Sequence, residues 1–203
     1  MDIPVPRLSY EDMRAKANEL LRTHNPSRQI PVPIEQIMEF GFEVTIIPLP
    51  GLREVHEVDA FMSQDCCTMF ADSAMLEHRS PNRYRFSLAH ELGHIVLHQE
   101  AFEALSFNSA AEWKRVMQLM SELDRQSLEW QAYCFGGLVL VPRQPLKDKL
   151  TNAINLAKSK GFSFSGNLEV AKSYISTSLG KEFQVSSQVI EKRLDKDGLW
   201  PPG

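Results

Sequence analysis

Three features of secreted or membrane proteins are scarce or missing in this sequence. It has only three cysteines, Cys66, Cys67 and Cys134, and an odd number in a chain of ordinary size argues against a disulfide scaffold and for free thiols. It has no apolar run near the ~20 residues that a membrane helix requires. Its first residues lack the basic start and apolar core of a signal peptide. We therefore expect a cytoplasmic protein with no membrane partner.

Strong charge of one sign is missing as well, since the net charge is −4. Such a mild balance does not predict a nucleic-acid partner for the whole chain. Residues 1–142 are acidic on balance, whereas residues 143–203 are basic on balance. With 43% hydrophobic residues, the chain can form one core with a small appendage. We predict a main domain over residues 1–145 and a helical tail over residues 146–203.

What the sequence does contain is a metal-ligand pattern in an apolar segment. Residues 85–98 hold His90, Glu91 and His94 in the order His-Glu-x-x-His. Residues four apart lie about 6 Å apart on one face of a helix, so both imidazoles can bind one ion. Glu91 would lie on the open side of that ion, where its carboxylate can take a proton from a zinc-bound water of pKa about 7. The pattern predicts a zinc hydrolase site with Glu91 as general base.

The same pattern also occurs by chance in surface helices, where both histidines are simply hydrogen-bonded. The flanks argue against a surface helix here, because they resemble a protein core: Phe86, Leu88, Ala89, Ile95, Val96 and Leu97. Buried histidines and a buried glutamate need a partner, and a metal ion supplies one. His98 lies roughly 12 Å along the helix axis from His90. We predict that His98 packs behind the ligands and does not bind the same ion.

The third ligand is less well defined by the sequence. Five glutamates follow the metal helix: Glu100, Glu103, Glu112, Glu122 and Glu129. Glu112 belongs to a capping-box pattern that begins at Ser109, which gives it another role. Glu129 opens an apolar stretch in which Ala132 and Gly136 form a face of small residues that can press against the metal helix. Spacing therefore favours Glu129 and leaves the other glutamates open.

At this point the sequence resembles a known family. Residues 85–98 look like the active-site helix of the ImmA/IrrE family of zinc metallo-endopeptidases, whose signature runs approximately Arg-Phe-Thr-Leu-Ala-His-Glu-Leu-Gly-His. Residues 129–142 are similar to the second signature of that family, which begins with the third zinc ligand. Residues 34–44 are similar to the helix and strand that open its domain.

This resemblance has implications for the site and for the substrate. It implies a gluzincin-like zinc site in which Glu129 is the third ligand beside His90 and His94. It also implies a protein substrate, namely a small helix-turn-helix repressor encoded nearby, whose cleavage switches on stress, phage or defence genes. Tyr133 stands where the family usually has Asn, and residues 136–137 also depart from its pattern. These departures concern the shape of the substrate cleft and not the ligands.

The pattern and the resemblance together predict an α+β fold with a zincin-like core, in which the metal helix packs on a small sheet. The first predicted helix covers residues 8–23 with Ser9 as N-cap, and the second covers 34–40 and is closed by Gly41 in a left-handed cap. A strand over 42–49 follows, and then two short strands within 58–75 that a turn near 64–65 joins. A turn over 80–82 precedes the metal helix, and an apolar helix opens at Glu129. In the tail, helices are predicted around 152–160 and over 168–183.

The tail ends in residues 179–194, whose apolar spacing is that of a helix-turn-helix with Ser186 capping the second helix. One interpretation is DNA contact through Ser187, Gln188 and Lys192. The other is that six apolar residues cover the peptidase core: Leu179, Phe183, Val185, Val189, Ile190 and Leu194. We favour the covering role, because the basic balance of the tail is weak beside that of DNA-binding domains.

The leading hypothesis is a cytoplasmic zinc-dependent endopeptidase that hydrolyses a peptide bond in a protein substrate. The alternative is a DNA-binding transcriptional regulator with a structural or inactive metal site. The sequence leaves the oxyanion donor open among Tyr84, Tyr133 and His78.

A further hypothesis concerns the cysteines, since a thiolate is a strong zinc ligand. Cys66 and Cys67 stand in the strand region upstream of the metal helix, so one of them could occupy the open zinc position and restrain the enzyme. Alternation along a strand would send their side chains to opposite faces, and Cys134 should face away from the ion. The alternative is that all three are small core residues.

Overall fold

The structure is a computed structural model that describes residues 4–77, 81–107, 109–161 and 168–201. Within these ranges the chain has a mostly helical α+β fold, which confirms the predicted class. The helices are α1 (Tyr10–His24), α2 (Ile34–Gln36), α3 (Leu52–His56), α4 (Ser73–Glu77), α5 (Pro81–Leu97), α6 (Gln99–Glu103), α7 (Ala110–Leu119), α8 (Glu122–Leu140), α9 (Arg143–Ser159), α10 (Leu168–Phe183) and α11 (Ser187–Lys196). The strands are β1 (Thr45–Leu49), β2 (Ala60–Met62) and β3 (Thr68–Asp72). None of the described helices is both long and apolar enough to cross a bilayer.

The sheet has three strands in the order β1-β3-β2. β1 runs parallel to β3, with Thr45 opposite Thr68, and β2 runs antiparallel to β3, with Phe61 opposite Phe70. β2 and β3, which a turn joins, confirm the two short strands expected within residues 58–75. β2 therefore lies at an edge of the sheet, and it contacts α5.

The first helix begins where the sequence predicts. The Ser9 hydroxyl accepts a hydrogen bond from the backbone N–H of Asp12 (3.2 Å), and the Asp12 carboxylate accepts one from the backbone N–H of Ser9 (2.9 Å). These two bonds form a capping box. Apolar residues at helical spacing then give one buried face: Met13, Ala17, Leu20 and Leu21. α1 packs on α8.

The segment after α1 differs from the prediction at Gly41. A π-helical turn, Ile37–Gly41, continues α2, and Gly41 does not take the left-handed conformation. Positive φ falls on Glu43 (55°), so β1 begins later than expected, at Thr45. The glycine serves a close approach instead, because a Cβ at this position would lie 2.6 Å from Nδ1 of His24.

Two helices begin earlier than predicted. Pro81 and Asn82, expected in a turn, form the start of α5, because proline is well suited to the first turn of a helix. Ser80, the first residue of that predicted turn, lies outside the described residues. α9 begins at Arg143, well before the helical piece predicted around residue 152.

The helix that carries Glu129 also begins earlier, at Glu122. The Ser121 hydroxyl accepts a hydrogen bond from the backbone N–H of Asp124 (3.1 Å) and caps this helix. The prediction that Glu129 opens the helix is therefore wrong. Glu129 lies about two turns inside α8, where its backbone is fixed on both sides.

α5 and α8 cross at very short range. A Cβ at Gly93 would lie 3.0 Å from Cα of Ala132, and a Cβ at Gly136 would lie 3.2 Å from the backbone nitrogen of His90. Neither glycine can gain a methyl group unless one of the two backbones shifts. The face of small residues predicted for α8 is thus confirmed, and it lies against the metal helix.

The last two helices pack on the rest of the molecule. The six apolar residues assigned to a covering role are all buried: Leu179, Phe183, Val185, Val189, Ile190 and Leu194. Ser186 has the extended backbone of an N-cap, but its side chain makes no capping hydrogen bond. This burial supports the covering role for α10 and α11. The domain boundary at residue 145 stays a prediction.

A buried ion cluster joins α11 to α1. The Asp197 carboxylate pairs with Nη2 of Arg193 (2.8 Å) and Nη2 of Arg14 (2.9 Å). Arg193 also donates to the Tyr10 hydroxyl and to the backbone carbonyl of Val141 (3.1 Å). Buried charges are tolerated when they are paired and hydrogen-bonded, so this cluster fixes the two ends of the described chain against each other.

The crossing of α5 and α8 gives a stability prediction with a built-in control. Gly136→Ala would press a methyl group against the backbone of α5, so we expect a loss of about 1–3 kcal/mol in the free energy of unfolding. Gly137→Ala should be neutral or stabilising by up to about 1 kcal/mol, because its Cβ would meet only Cδ of Arg193 at 3.7 Å. Chemical denaturation of both variants measures the difference, and equal stabilities would contradict the close crossing.

Candidate metal centre

The two histidines of the pattern lie side by side on α5. Nε2 of His90 and Nε2 of His94 are 3.1 Å apart, and the two rings meet edge to face with their centroids 4.8 Å apart. Positions four apart on a helix share one face, so the sequence spacing accounts for this arrangement. His94 is buried, and the His90 side chain is 20% exposed. The pair therefore opens towards solvent only on the side of His90.

α8 brings Glu129 to the same place. Oε2 of Glu129 lies 3.2 Å from Nε2 of His90. Among the five candidate glutamates, only Glu129 forms an ion pair with His90. Glu122 accepts a hydrogen bond from Gln126 (2.9 Å), and Glu103 accepts one from the neighbouring Gln99 (3.0 Å).

The other two candidates lie at helix starts. The backbone N–H of Glu112 donates to the Ser109 hydroxyl at the start of α7 (3.2 Å), as the capping-box pattern predicts. Glu100 is an exposed residue in the first turn of α6.

Glu91 is a second carboxylate next to the histidines. The ligand atoms of His90, Glu91 and His94 all lie within 4.8 Å of one another. Burial raises the pKa of Glu91 to about 7, and a hydrogen bond from the backbone N–H of Met62 acts in the opposite direction. A carboxyl group with this pKa can gain or lose a proton near neutral pH.

The strand order explains how Met62 reaches Glu91. The hydrogen bonds from Asp72 to Asp59 and from Ser63 to Thr68 set the ladder between β2 and β3. In an antiparallel ladder the backbone groups of alternate residues point to opposite sides. The N–H of Met62 therefore points away from β3, across the edge of the sheet, and faces Glu91.

Two separations between the candidate donor atoms fit a small tetrahedral ion. A zinc ion binds nitrogen and oxygen ligands at about 2.0–2.2 Å, which places tetrahedral ligand atoms about 3.3 Å from one another. The observed separations from Nε2 of His90 are 3.1 Å to His94 and 3.2 Å to Glu129. Two imidazoles and a carboxylate suit zinc and related transition metals.

His98 lies behind His94, as predicted. Its Nδ1 is 3.0 Å from Nδ1 of His94, and its Nε2 is 3.2 Å from Oε1 of Gln131. Gln131 and His98 are both 1% exposed. Gln131 was not among the residues predicted from the sequence. The available signal was an amide two residues after Glu129, within an apolar helix, where it needs a hydrogen-bond partner.

The three histidines differ in protonation. Burial lowers the pKa of His94 well below its usual value and lowers that of His98 to about 4. Burial also opposes the charge on His90, but its hydrogen bond to Glu129 and the charges of Glu91 and Glu129 outweigh it and raise the pKa of His90. At neutral pH His94 and His98 are therefore neutral, and each carries a single ring proton.

Of the candidate oxyanion donors, Tyr84 already donates within the described structure, whereas the Tyr133 hydroxyl accepts and keeps its own proton. The Tyr84 hydroxyl donates to Glu35 on α2 (2.9 Å). The Tyr133 hydroxyl accepts a hydrogen bond from Nζ of Lys192 (3.1 Å), and its ring packs on that of Phe86 with centroids 4.9 Å apart. His78 lies outside the described residues.

The cysteines do not lie on a strand. Cys66 and Cys67 belong to the turn before β3, and Cys66 has a φ of 56°. The alternation argument for this pair is therefore wrong. Burial, with smaller contributions from Asp65 and Cys67, raises the pKa of the Cys66 thiol to about 11, which disfavours a thiolate, and Cys67 is exposed. Restraint by a cysteine stays a prediction.

A His-Glu-x-x-His helix crossed by a second helix that carries a carboxylate fits the class of metallopeptidases. The sequence agrees with the class, because residues 75–195 match the peptidase M78 family, described as IrrE N-terminal-like domain. The chain belongs to this family, which confirms the resemblance stated above. The match runs from α4 to α11 and includes all the histidines of the cluster. No curated protein sequence matches the chain.

The position of Glu129 predicts its effect on metal binding. Glu129→Ala should weaken zinc binding by more than about 100-fold, because losing a direct ligand costs more than the about 10–100-fold of losing a residue that orients one. The matched control is Glu122→Ala, because Glu122 lies two turns earlier on the same face of α8. This variant should bind zinc like the wild type. Competition with a chromogenic chelator measures both. Equal affinities would remove Glu129 from the site.

Proposed function

We propose that the chain is a zinc-dependent endopeptidase with His90, His94 and Glu129 as metal ligands and Glu91 as general base. One observation carries the proposal: donor atoms from two helices converge within 3.2 Å of Nε2 of His90, with the Glu91 carboxyl group beside them. Membership of the peptidase family supports the reaction class.

In the proposed mechanism the chain positions a water and moves its proton. A zinc ion held by these ligands would polarise the scissile carbonyl and acidify its bound water. Glu91 takes the proton of the attacking water and passes it to the leaving amine. A carboxylate suits this task, since a base with a pKa near the working pH both accepts and releases protons readily.

The edge strand supports a zincin-like cleft. In the described part of the chain no strand pairs with the outer side of β2. The register places the backbone groups of Ala60 and Met62 on that side, next to Glu91. An extended peptide can add to such an edge by main-chain hydrogen bonds, so the proposed substrate lies along β2 with its scissile bond at the metal.

For the substrate we propose a small helix-turn-helix repressor in the cytoplasm, encoded near this protein. This step rests on the resemblance to the ImmA/IrrE family. The rival function, DNA binding by the tail, has less support. Nζ of Lys192 lies over the Tyr133 ring at 4.4 Å from its centroid, so one of the three residues assigned to DNA contact already has a partner within the protein.

The mechanism predicts that metal binding and cleavage can be separated at Glu91. Glu91→Gln keeps the size of the side chain but cannot accept the proton of water, so we expect a full complement of zinc and a cleavage rate lower by about 100-fold to 10,000-fold. Metal analysis and a cleavage assay on the same preparation test this. Wild-type cleavage by the variant would show that the mechanism is wrong.

The substrate proposal has its own test. Coexpression with the neighbouring repressor should yield two repressor fragments, and mass spectrometry should place the cut between its DNA-binding and oligomerisation parts. The Glu91→Gln variant serves as the control and should leave the repressor intact. A repressor that stays whole beside the wild-type protein under every inducing condition would count against this substrate.

A further inference from the structure

A continuous row of hydrogen bonds runs from the backbone of the N-terminal segment to the centre of the metal site. Nε2 of Gln131 donates to the backbone carbonyl of Pro6 (2.7 Å) and to the Ser127 hydroxyl (2.9 Å). Oε1 of Gln131 is 3.2 Å from Nε2 of His98, and Nδ1 of His98 is 3.0 Å from Nδ1 of His94. Almost no solvent reaches this row, because Gln131, His94 and His98 are 1–2% exposed.

The Pro6 carbonyl determines which way the amide of Gln131 points. A carbonyl oxygen only accepts hydrogen bonds, so the NH₂ group must face it. The opposite orientation would place two oxygens against each other in a buried site. Oε1 of Gln131 therefore faces His98, and it too can only accept.

This orientation fixes the ring protons one after the other. Nε2 of His98 must carry a proton in order to donate to Gln131. A neutral imidazole has one N–H, so Nδ1 of His98 is an acceptor. Nδ1 of His94 must then carry the proton that lies between the two rings. Its Nε2 keeps a free lone pair, and that nitrogen faces Nε2 of His90.

We propose that Gln131 is a positioning residue that holds His94 in its metal-binding tautomer before any metal arrives. The inference rests on the proposed role of His94 as a ligand. Free neutral histidine in water prefers the opposite tautomer, with the proton on Nε2, and that form would have to rearrange in order to bind a metal. The row removes this rearrangement, and it makes the N-terminal segment a part of the site through Pro6.

The direct test reads the ring protons of the metal-free protein. In a sample with ¹⁵N-labelled histidine near pH 8, long-range ¹H–¹⁵N spectra distinguish the two tautomers. We expect Nδ1–H for His94 and Nε2–H for His98 in the wild type. Finding His94 mainly as the Nε2–H tautomer would overturn the proposal, and no variant needs to fold for this result. The measurement uses no metal and no substrate, so it stays informative even if the proposed peptidase activity fails.

A second test measures metal affinity. Gln131→Met keeps the length of the side chain and removes all three of its hydrogen bonds, so zinc binding should weaken by about 10–100-fold while the spectrum of His94 shifts towards the Nε2–H tautomer. Gln126→Met is the matched control, because Gln126 is an exposed residue of the same helix that bonds only to Glu122 in the described structure. Unchanged affinity in a folded Gln131→Met protein would overturn the proposal. If His90→Ala also bound zinc like the wild type, the failure would lie in the proposed metal site itself.

Discussion

The close crossing of α5 and α8 is the constraint on which the rest of the site depends. At Gly93 and Gly136 an added methyl group would lie 3.0–3.2 Å from the backbone of the other helix, so one backbone would have to shift. This close approach lets Glu129 reach Nε2 of His90 and lets Gln131 reach His98 from the same helix. Larger residues where α5 and α8 cross would move the two helices apart and break both contacts. The catalytic proposal and the tautomer proposal therefore share one packing requirement.

Local rules predicted those parts of the molecule that depend on nearby residues. The spacing of His90 and His94 is a property of a single helix, and the capping box at Ser9 spans four residues, so both could be derived from the sequence. The burial of the metal helix followed from its apolar flanks. Even the small residues of α8 were visible as a pattern, because a helix presents residues three and four apart on one face.

The rest depended on contacts between distant parts of the chain. Gly41 has the sequence position of a helix cap, but its actual constraint is the ring of His24, which belongs to another helix. The role of Gln131 requires Pro6 and His98, which lie 125 and 33 residues away from it in the sequence. The contact between the N–H of Met62 and Glu91 depends on the register of β2 with β3. No periodicity within one segment contains such information, so these features needed the structure.

The ion cluster of Asp197 and the contact of Pro6 with Gln131 together bear on how much of the chain a stable fragment must contain. Besides packing α1 on α8, residues before α2 bond to the interior through a backbone carbonyl beneath the histidines and through Tyr10 and Arg14 at the end of α11. The region of family similarity begins only at residue 75. A fragment cut to that region would lose both contacts, and the metal helix would lack part of the structure that packs against it. The smallest piece of this chain worth expressing is therefore longer than the piece that sequence similarity outlines.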